Sequence, residues 1–252
     1  MNATPSVEER LKAARRPDRL VIMRQNWRQL LFLHWEVPVE VLRPLVPAAL
    51  DIDTYKGRAY VGVIPFGVEG MRLPFAPPVP GLSAYIELNV RTYVHVGGGE
   101  PSVWFFSLDA SSLAAVLGAR AGFRLPYCHA RMRLEQGDPL AGPSYLSTRL
   151  GFGRRPAVFD AQAHLGAPLD TAQPGTFEHF LVERYLLYTQ WAPGDLRVGQ
   201  VHHASYPLQQ ATAEVRAVET LLLADGLPAL TGEPHVLFSP GVNVEVFALR
   251  RL

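Results

Sequence analysis

The sequence predicts a mainly β (α+β) protein, an antiparallel, barrel-like sheet with a few short peripheral helices. Three observations carry that expectation. Short runs rich in β-branched and aromatic residues recur along the chain between turn signals. Gly 21 and Pro 22 of 252 residues exceed the usual share of about 12%, so turns are frequent and helices short. Only a few segments between the runs have helical spacing, whereas a doubly wound α/β fold needs a helix after nearly every strand.

The elements follow in order. Ser6-Val7-Glu8-Glu9 is a capping-box pattern, with hydroxyl and carboxylate each satisfying a free backbone amide. A helix follows with Val7, Leu11 and Ala14 on one side, ending before Pro17, so residues 1–19 form a peripheral N-terminal helix. Gln29 to Val37 reads as a strand. Pro38 opens PVEVLRPLV, a helical turn limited by its second proline. Arg58 to Phe66 is a strand, extended onward to about Leu73, and the proline-rich residues 73–82 form a surface loop or lid. Ser83–Val96 and Ser102–Asp109 are strands joined by GGGEP, a hairpin signal. Ser111 or Ser112 caps a helix with Leu113, Val116 and Leu117 at helical spacing. Further strands are expected at 125–135, 144–152, 185–191, 196–206, 207–217 and 242–249, with a helix from Thr176 to Arg184 and a turn at Ala192–Asp195.

Composition excludes several classes. With 24 Lys plus Arg against 23 Asp plus Glu, the chain is neither disordered nor strongly basic. Its arginine pairs, Arg15-Arg16, Arg154-Arg155 and Arg250-Arg251, form no aromatic-interleaved stripe, so no nucleic-acid partner is expected. No stretch approaches 18 apolar residues and the N-terminus lacks an apolar signal region, so neither a membrane nor secretion is expected. The single Cys128 cannot form an internal disulfide, which fits a reducing, cytoplasmic location. Length alone fits one domain or two. Among the basic residues only Lys12 and Lys56 are lysines, so lysine chemistry has two candidates at most.

Strand parity points to a site. Alternate side chains of a strand face opposite ways. From 85 to 96 one face is Ile86, Leu88, Val90, Thr92, Val94, Val96 and the other Tyr85, Glu87, Asn89, Arg91, Tyr93, His95. Alternation alone fits a solvated polar face. Its lysine-free mixture of Tyr, Asn, His, Glu and Arg fits a hydrogen-bonded cavity better. From 125 to 134, Tyr127, His129, Arg131 and Arg133 share one face, opposite Cys128, Ala130, Met132 and Leu134. Cys128 thus reads as a small core hydrophobe. His34 and Glu36 share a face opposite Leu33, Trp35 and Val37.

Common catalytic motifs are absent: no Gly-x-Gly-x-x-Gly, phosphate loop, His-Glu-x-x-His or Gly-x-Ser-x-Gly occurs. His202 and His203 are adjacent and would point to opposite faces of a strand, so no metal site and no cofactor are expected. Glu178, His179 and Glu183 lie on the expected helix 176–184, where spacing predicts a solvated face.

FLHWEVPVEVLRPLVPAALDIDTYKGRAYVGVIPF (32–66), FLVERYLLYT (180–189) and VHHASYPLQQATAE (201–214) resemble the YqjF-like family of uncharacterised proteins, a domain of unknown function in the acetoacetate decarboxylase-like superfamily. The middle of the chain, YIELNVRTYV then FFSLDASSLAAVLGARAGFRLPYCHARM, is similar to the decarboxylase order of a Glu-bearing strand, a strand, a short helix and a turn into the lysine strand. The resemblance implies one acetoacetate decarboxylase-like domain over 1–252, a cone-shaped antiparallel β-barrel with a central cavity. In that enzyme a lysine of depressed pKa forms a Schiff base with a keto acid. Here Tyr127 and Cys128 stand at the matching positions, and neither can form an imine. The strand glutamate matches as Glu87, and Arg24 is the nearest counterpart of a carboxylate-pairing arginine.

The functional expectation is a cavity for a small carbonyl or carboxylate metabolite without Schiff-base chemistry, and so not a decarboxylase of that type. If an enzyme, it would use lyase- or hydrolase-like acid/base chemistry, with Glu87, Tyr127, His129 and His203 as catalytic groups and Arg24, His34, Arg91 and Tyr85 binding the ligand. The alternative is a non-catalytic small-molecule-binding module using the same cavity; a scaffold would have no cavity. A homo-oligomeric state is compatible with either.

Overall fold

The structure is a computed structural model describing residues 4–137, 141–151 and 155–252. Its longest strands cross the molecule and contribute to two apolar cores. Strand β1 (Val21–Val37) starts eight residues before the expected Gln29. The reason lies at Gln29 itself, whose φ of 51° breaks the alternation. The pairing of β1 with β3 (Ala59–Arg72) shifts register between Arg28 and Leu33, as a β-bulge does. Odd-numbered Met23, Gln25 and Trp27 therefore share a face with even-numbered Leu30 and Phe32.

Between them lie the turns α2 (Val39–Leu42), for which Pro38 is the cap rather than the first helical residue, a 3-10 turn Arg43–Leu45, and β2 (Asp51–Ile52). The extended piece expected after Phe66 is the continuation of β3. Residues 73–82 contain no strand or helix, and Phe75 is fully exposed. The expected hairpin follows as β4 (Tyr85–Val96) and β5 (Gly99–Ala110), paired antiparallel. Ser112 caps α3 (Leu113–Phe123), its Oγ accepting from Ala115 N at 3.3 Å. Of the expected apolar stripe on α3, only Val116 is buried, because this helix lies on the outside with Leu113 and Leu117 in solvent.

The remainder comprises β6 (Tyr127–Glu135), β7 (Ser144–Arg149), β8 (Ala157–Pro168), α4 (Phe177–Val182), β9 (Leu186–Ala192), β10 (Asp195–His202), β11 (Gln209–Ala217), α5 (Glu219–Ala224) and β12 (His235–Arg251). Phe152, the expected end of β7, and Arg154 lie outside the described residues. Strand β8 and helix α5 have no counterpart in the sequence reading. The buried face of β8 is Ala157, Phe159, Ala161 and Ala163, and alanine carries little strand signal. Helix α5 is six residues long without a side-chain cap.

Among the described residues the strands form one sheet in the order β10-β9-β5-β6-β7-β8-β11-β12-β1-β3-β4-β2, with further pairings β10–β12 and β4–β5. The sheet is mixed rather than antiparallel throughout as expected, because α3 returns the chain so that β6 runs parallel to β5, as does β9. One core gathers Leu31, Leu33, Val61, Val63, Leu88 and Val90; the other gathers Leu30, Phe32, Ile64, Phe66, Tyr93 and Tyr127. Because β1, β3 and β4 send alternate side chains into each, β4 is buried on both faces from Glu87 to His95, so neither is solvated. Full burial of each such apolar side chain contributes roughly 1.5–3 kcal/mol.

At the N-terminus, α1 (Val7–Ala14) is capped by Ser6, whose Oγ accepts from Glu9 N at 3.2 Å. Its inward face is not the expected one. Val7 and Leu11 are exposed, whereas Ala13 is buried and Arg10 reaches the fully buried Asp53 at 2.8 and 2.9 Å. Among the described residues, no helix is long and apolar enough to cross a membrane.

Candidate functional site

The polar face of β4 lines a pocket of about 360 Å³, with Tyr85, Glu87, Asn89 and Arg91 in sequence along it. At about 3.3 Å per residue, Glu87 and Arg91 stand roughly 13 Å apart at their Cα atoms. Trp27, Phe32 and Phe66 form an apolar wall, α3 contributes Ala115 and Ala119, and Gln25, Tyr127, Arg184, Tyr185 and Tyr206 add further polar groups.

One end is acidic. Glu87 is 5% exposed and accepts from the Tyr127 hydroxyl at 2.9 Å. Asn89 donates to the same carboxylate. Burial pushes the Glu87 carboxyl up to about 7, and the two donors only partly oppose it. Burial, together with the neighbouring Glu87, drives the Tyr85 and Tyr127 phenols well above their ordinary value, so both keep their protons at neutral pH. Glu87 is therefore the wall group placed to give and take a proton near pH 7.

The other end is cationic. Arg91 donates from Nη2 to Leu181 O at 3.3 Å, and its Nε is buried without a partner. It makes no ion pair among the described residues. Arg184 donates from Nε to Phe180 O and from Nη1 to Asp53 Oδ2, both at 2.7 Å, leaving Nη2 buried and unpartnered. Burial would raise Asp53, but Arg184 and Arg10 hold it below the usual carboxylate range. Burial lowers Arg184 to about 10, which still leaves it charged at neutral pH. Both guanidinium groups lie against the Tyr93 ring, 5.7 and 4.5 Å from its centroid.

Of the residues expected from sequence, Tyr85, Glu87, Arg91 and Tyr127 meet on this wall. His34 sits just behind it, its Nε2 2.6 Å from the Tyr93 hydroxyl, and burial beside Arg91 holds it well below its ordinary value. His203 is also behind the wall, 4.6 Å from the Tyr185 ring and 4.7 Å from Tyr206, its Nδ1 2.8 Å from Ala204 O. Burial lowers it to about 4, so it is neutral at pH 7.

Two expectations fall outside the pocket. His129 is half-buried beyond it, at the last position where β6 pairs with β5. Arg24 is exposed and pairs with Glu245 at 3.1 Å. It precedes the bulge at Gln29, so its neighbours Met23 and Gln25 face the pocket instead.

Residues the sequence reading placed elsewhere also matter. Glu183 and His179, expected on a solvated helix face, are each 6% exposed. Glu183 accepts from the Tyr185 hydroxyl and from Tyr206 N, which holds two tyrosines of the wall in place. Asp53 and Arg184 come from segments 131 residues apart, and no spacing rule joins them. Neither lysine lines the pocket: Lys12 pairs with Glu9 at 3.4 Å, and Lys56 lies exposed, 5.3 Å from the centre of the Tyr55 ring.

The sequence pattern of the DUF2071 family, described as an uncharacterized conserved protein, matches residues 24–243. The uncharacterized protein YqjF of Bacillus subtilis strain 168 is 39% identical over 236 residues, 93% of this chain and 94% of that protein. Solved structures share the fold at low identity. The enduracididine biosynthesis enzyme MppR complexed with pyruvate superposes with a TM-score of 0.65 at 11% identity, covering 91% of this chain and 90% of that one. Acetoacetate decarboxylase from Legionella pneumophila does so with a TM-score of 0.59 at 13% identity, covering 100% and 97%.

Proposed function

The chain belongs to the DUF2071 family of uncharacterized proteins with an acetoacetate decarboxylase-like fold, and we propose that its pocket holds a small carbonyl or carboxylate metabolite for acid/base chemistry without a Schiff base. In this reading the sheet, through its β4–β5 and β10–β12 pairings, closes as a cone-shaped barrel around the ligand. One observation carries the proposal: a buried carboxyl raised by burial to about 7 shares a wall with a buried arginine that has no carboxylate partner among the described residues. The arginine holds the anionic end of the ligand, and Glu87 exchanges a proton with its carbonyl or hydroxyl end. Tyr127 orients Glu87. A fold neighbour complexed with pyruvate supports the ligand class, and the exposure of both lysines away from the pocket wall argues against imine formation there.

The test is to incubate the protein with acetoacetate, pyruvate and butyrate, recording melting temperature and NMR spectra in parallel. A ligand-dependent rise in melting temperature with product formation that Glu87→Gln abolishes is the expected result. A rise without product identifies the non-catalytic binding module instead. No rise with any carboxylate overturns the ligand class, and a borohydride-trapped adduct on Lys56 overturns the exclusion of Schiff-base chemistry.

A further inference from the structure

Three pocket-lining residues each leave one buried polar atom without a hydrogen-bond partner: Asn89 Oδ1, Arg91 Nε and Arg184 Nη2. All three residues are more than nine-tenths buried. Leaving such atoms unmatched costs on the order of 1–3 kcal/mol each, so a ligand that pairs them recovers interactions the protein has forgone. Their polarities differ. The two arginine nitrogens donate and ask for an acceptor, which a carboxylate supplies. Asn89 Oδ1 accepts and asks for an O–H or N–H.

The orientation of the Asn89 amide is fixed by Glu87. When Glu87 is ionised, as at pH 8, its carboxylate only accepts, so the amide turns its NH2 toward Glu87 and its oxygen away. From this complementarity we infer that the ligand is a hydroxy-carboxylate, whose carboxylate takes the Arg91 and Arg184 donors and whose hydroxyl donates to Asn89. A keto acid offers Asn89 only another acceptor. An amino acid also supplies a donor, but its ammonium must be desolvated in a pocket end where burial already penalises the charge of Glu87, a cost a neutral hydroxyl does not bear. This inference rests on the proposed carboxylate pocket and narrows its occupant.

The experiment is isothermal titration calorimetry at pH 8, where Glu87 is largely ionised, with 3-hydroxybutyrate, acetoacetate, 3-aminobutyrate and butyrate. The expected order is 3-hydroxybutyrate tightest, by about tenfold over acetoacetate, a factor set by one satisfied against one unsatisfied buried acceptor. Asn89→Ala should bring that ratio to about one. The comparison in the unaltered protein stands even where the variant fails to fold. Acetoacetate or 3-aminobutyrate binding as tightly as 3-hydroxybutyrate overturns the inference and leaves the carboxylate pocket intact. Failure of all four to bind overturns both.

Discussion

Two regions of this molecule bury arginine, and they treat it differently. Beneath the sheet, Arg149 has no exposed side-chain surface and spends its donors on the protein: Nε on Asp109 at 2.7 Å, Nη1 on Asp225 at 2.9 Å and Nη2 on Ser107 Oγ at 2.7 Å. On the pocket wall, Arg91 makes one bond of 3.3 Å to a carbonyl, and Arg184 keeps one nitrogen unpartnered despite Asp53. Burial is therefore no guide to role. Saturation separates them: the first cluster ties β5, β7 and the end of α5 together, whereas the second keeps unmatched nitrogens.

The contrast predicts opposite mutational responses, with the largest on the saturated side. Arg149→Met leaves Asp109 and Asp225 buried without their shared cation, a change that costs about 3–5 kcal/mol when one member of a buried ionic cluster is removed. Guanidinium unfolding followed by tryptophan fluorescence measures it. A loss under about 1 kcal/mol would mean that saturation does not distinguish the two clusters.

A second, smaller effect separates the acidic end of the pocket from the rest. Glu87 rises from 4.5 to about 7 on folding because burial penalises its charge. The folded state therefore binds the proton more tightly than the unfolded chain. The associated stability is fully present below about pH 4.5 and is lost as pH rises through 7, amounting to about 3 kcal/mol over that window. Glu87→Gln should abolish this part of the slope. Asp109, raised by burial to about 6 against the pull of Arg149, contributes a slope of the same sign in both proteins. The difference between the two stability curves, taken every half pH unit, isolates Glu87; a flat difference would locate its carboxyl in solvent.

The same two regions show what could be read from sequence. Parity along β4 was enough to gather Tyr85, Glu87, Asn89 and Arg91, because a strand without interruption keeps its period of two. In β1 the bulge at Gln29 resets that period, which hid the first half of the strand; Arg24, taken from the family resemblance, lies in that half, exposed and paired with Glu245. The actual second arginine, Arg184, follows a six-residue helix and depends on Asp53 of a distant turn. His129 shares the parity of Tyr127, yet β6 leaves the pocket after one residue, and parity carries no information about where a strand diverges. The Arg149 cluster draws on three separated segments, none with a distinctive local pattern.

The smallest stability effect belongs to Arg91, and it is the sharpest use of the comparison. Arg91→Met removes a buried charge whose only hydrogen bond among the described residues is long, and the thioether replaces the aliphatic stem while the guanidinium's volume is left to the pocket it lines. No carboxylate is abandoned, so the desolvation cost relieved and the bond lost to Leu181 O nearly offset each other. The expected change in unfolding free energy is within about 1 kcal/mol, of either sign. Carboxylate binding should respond in the opposite proportion, falling at least tenfold because a desolvated ion pair with the ligand is lost. Denaturation and calorimetry on one preparation read both quantities. A large loss of stability with unchanged butyrate affinity would place Arg91 in the same class as Arg149. A small loss with abolished binding assigns its unmatched donors to the ligand.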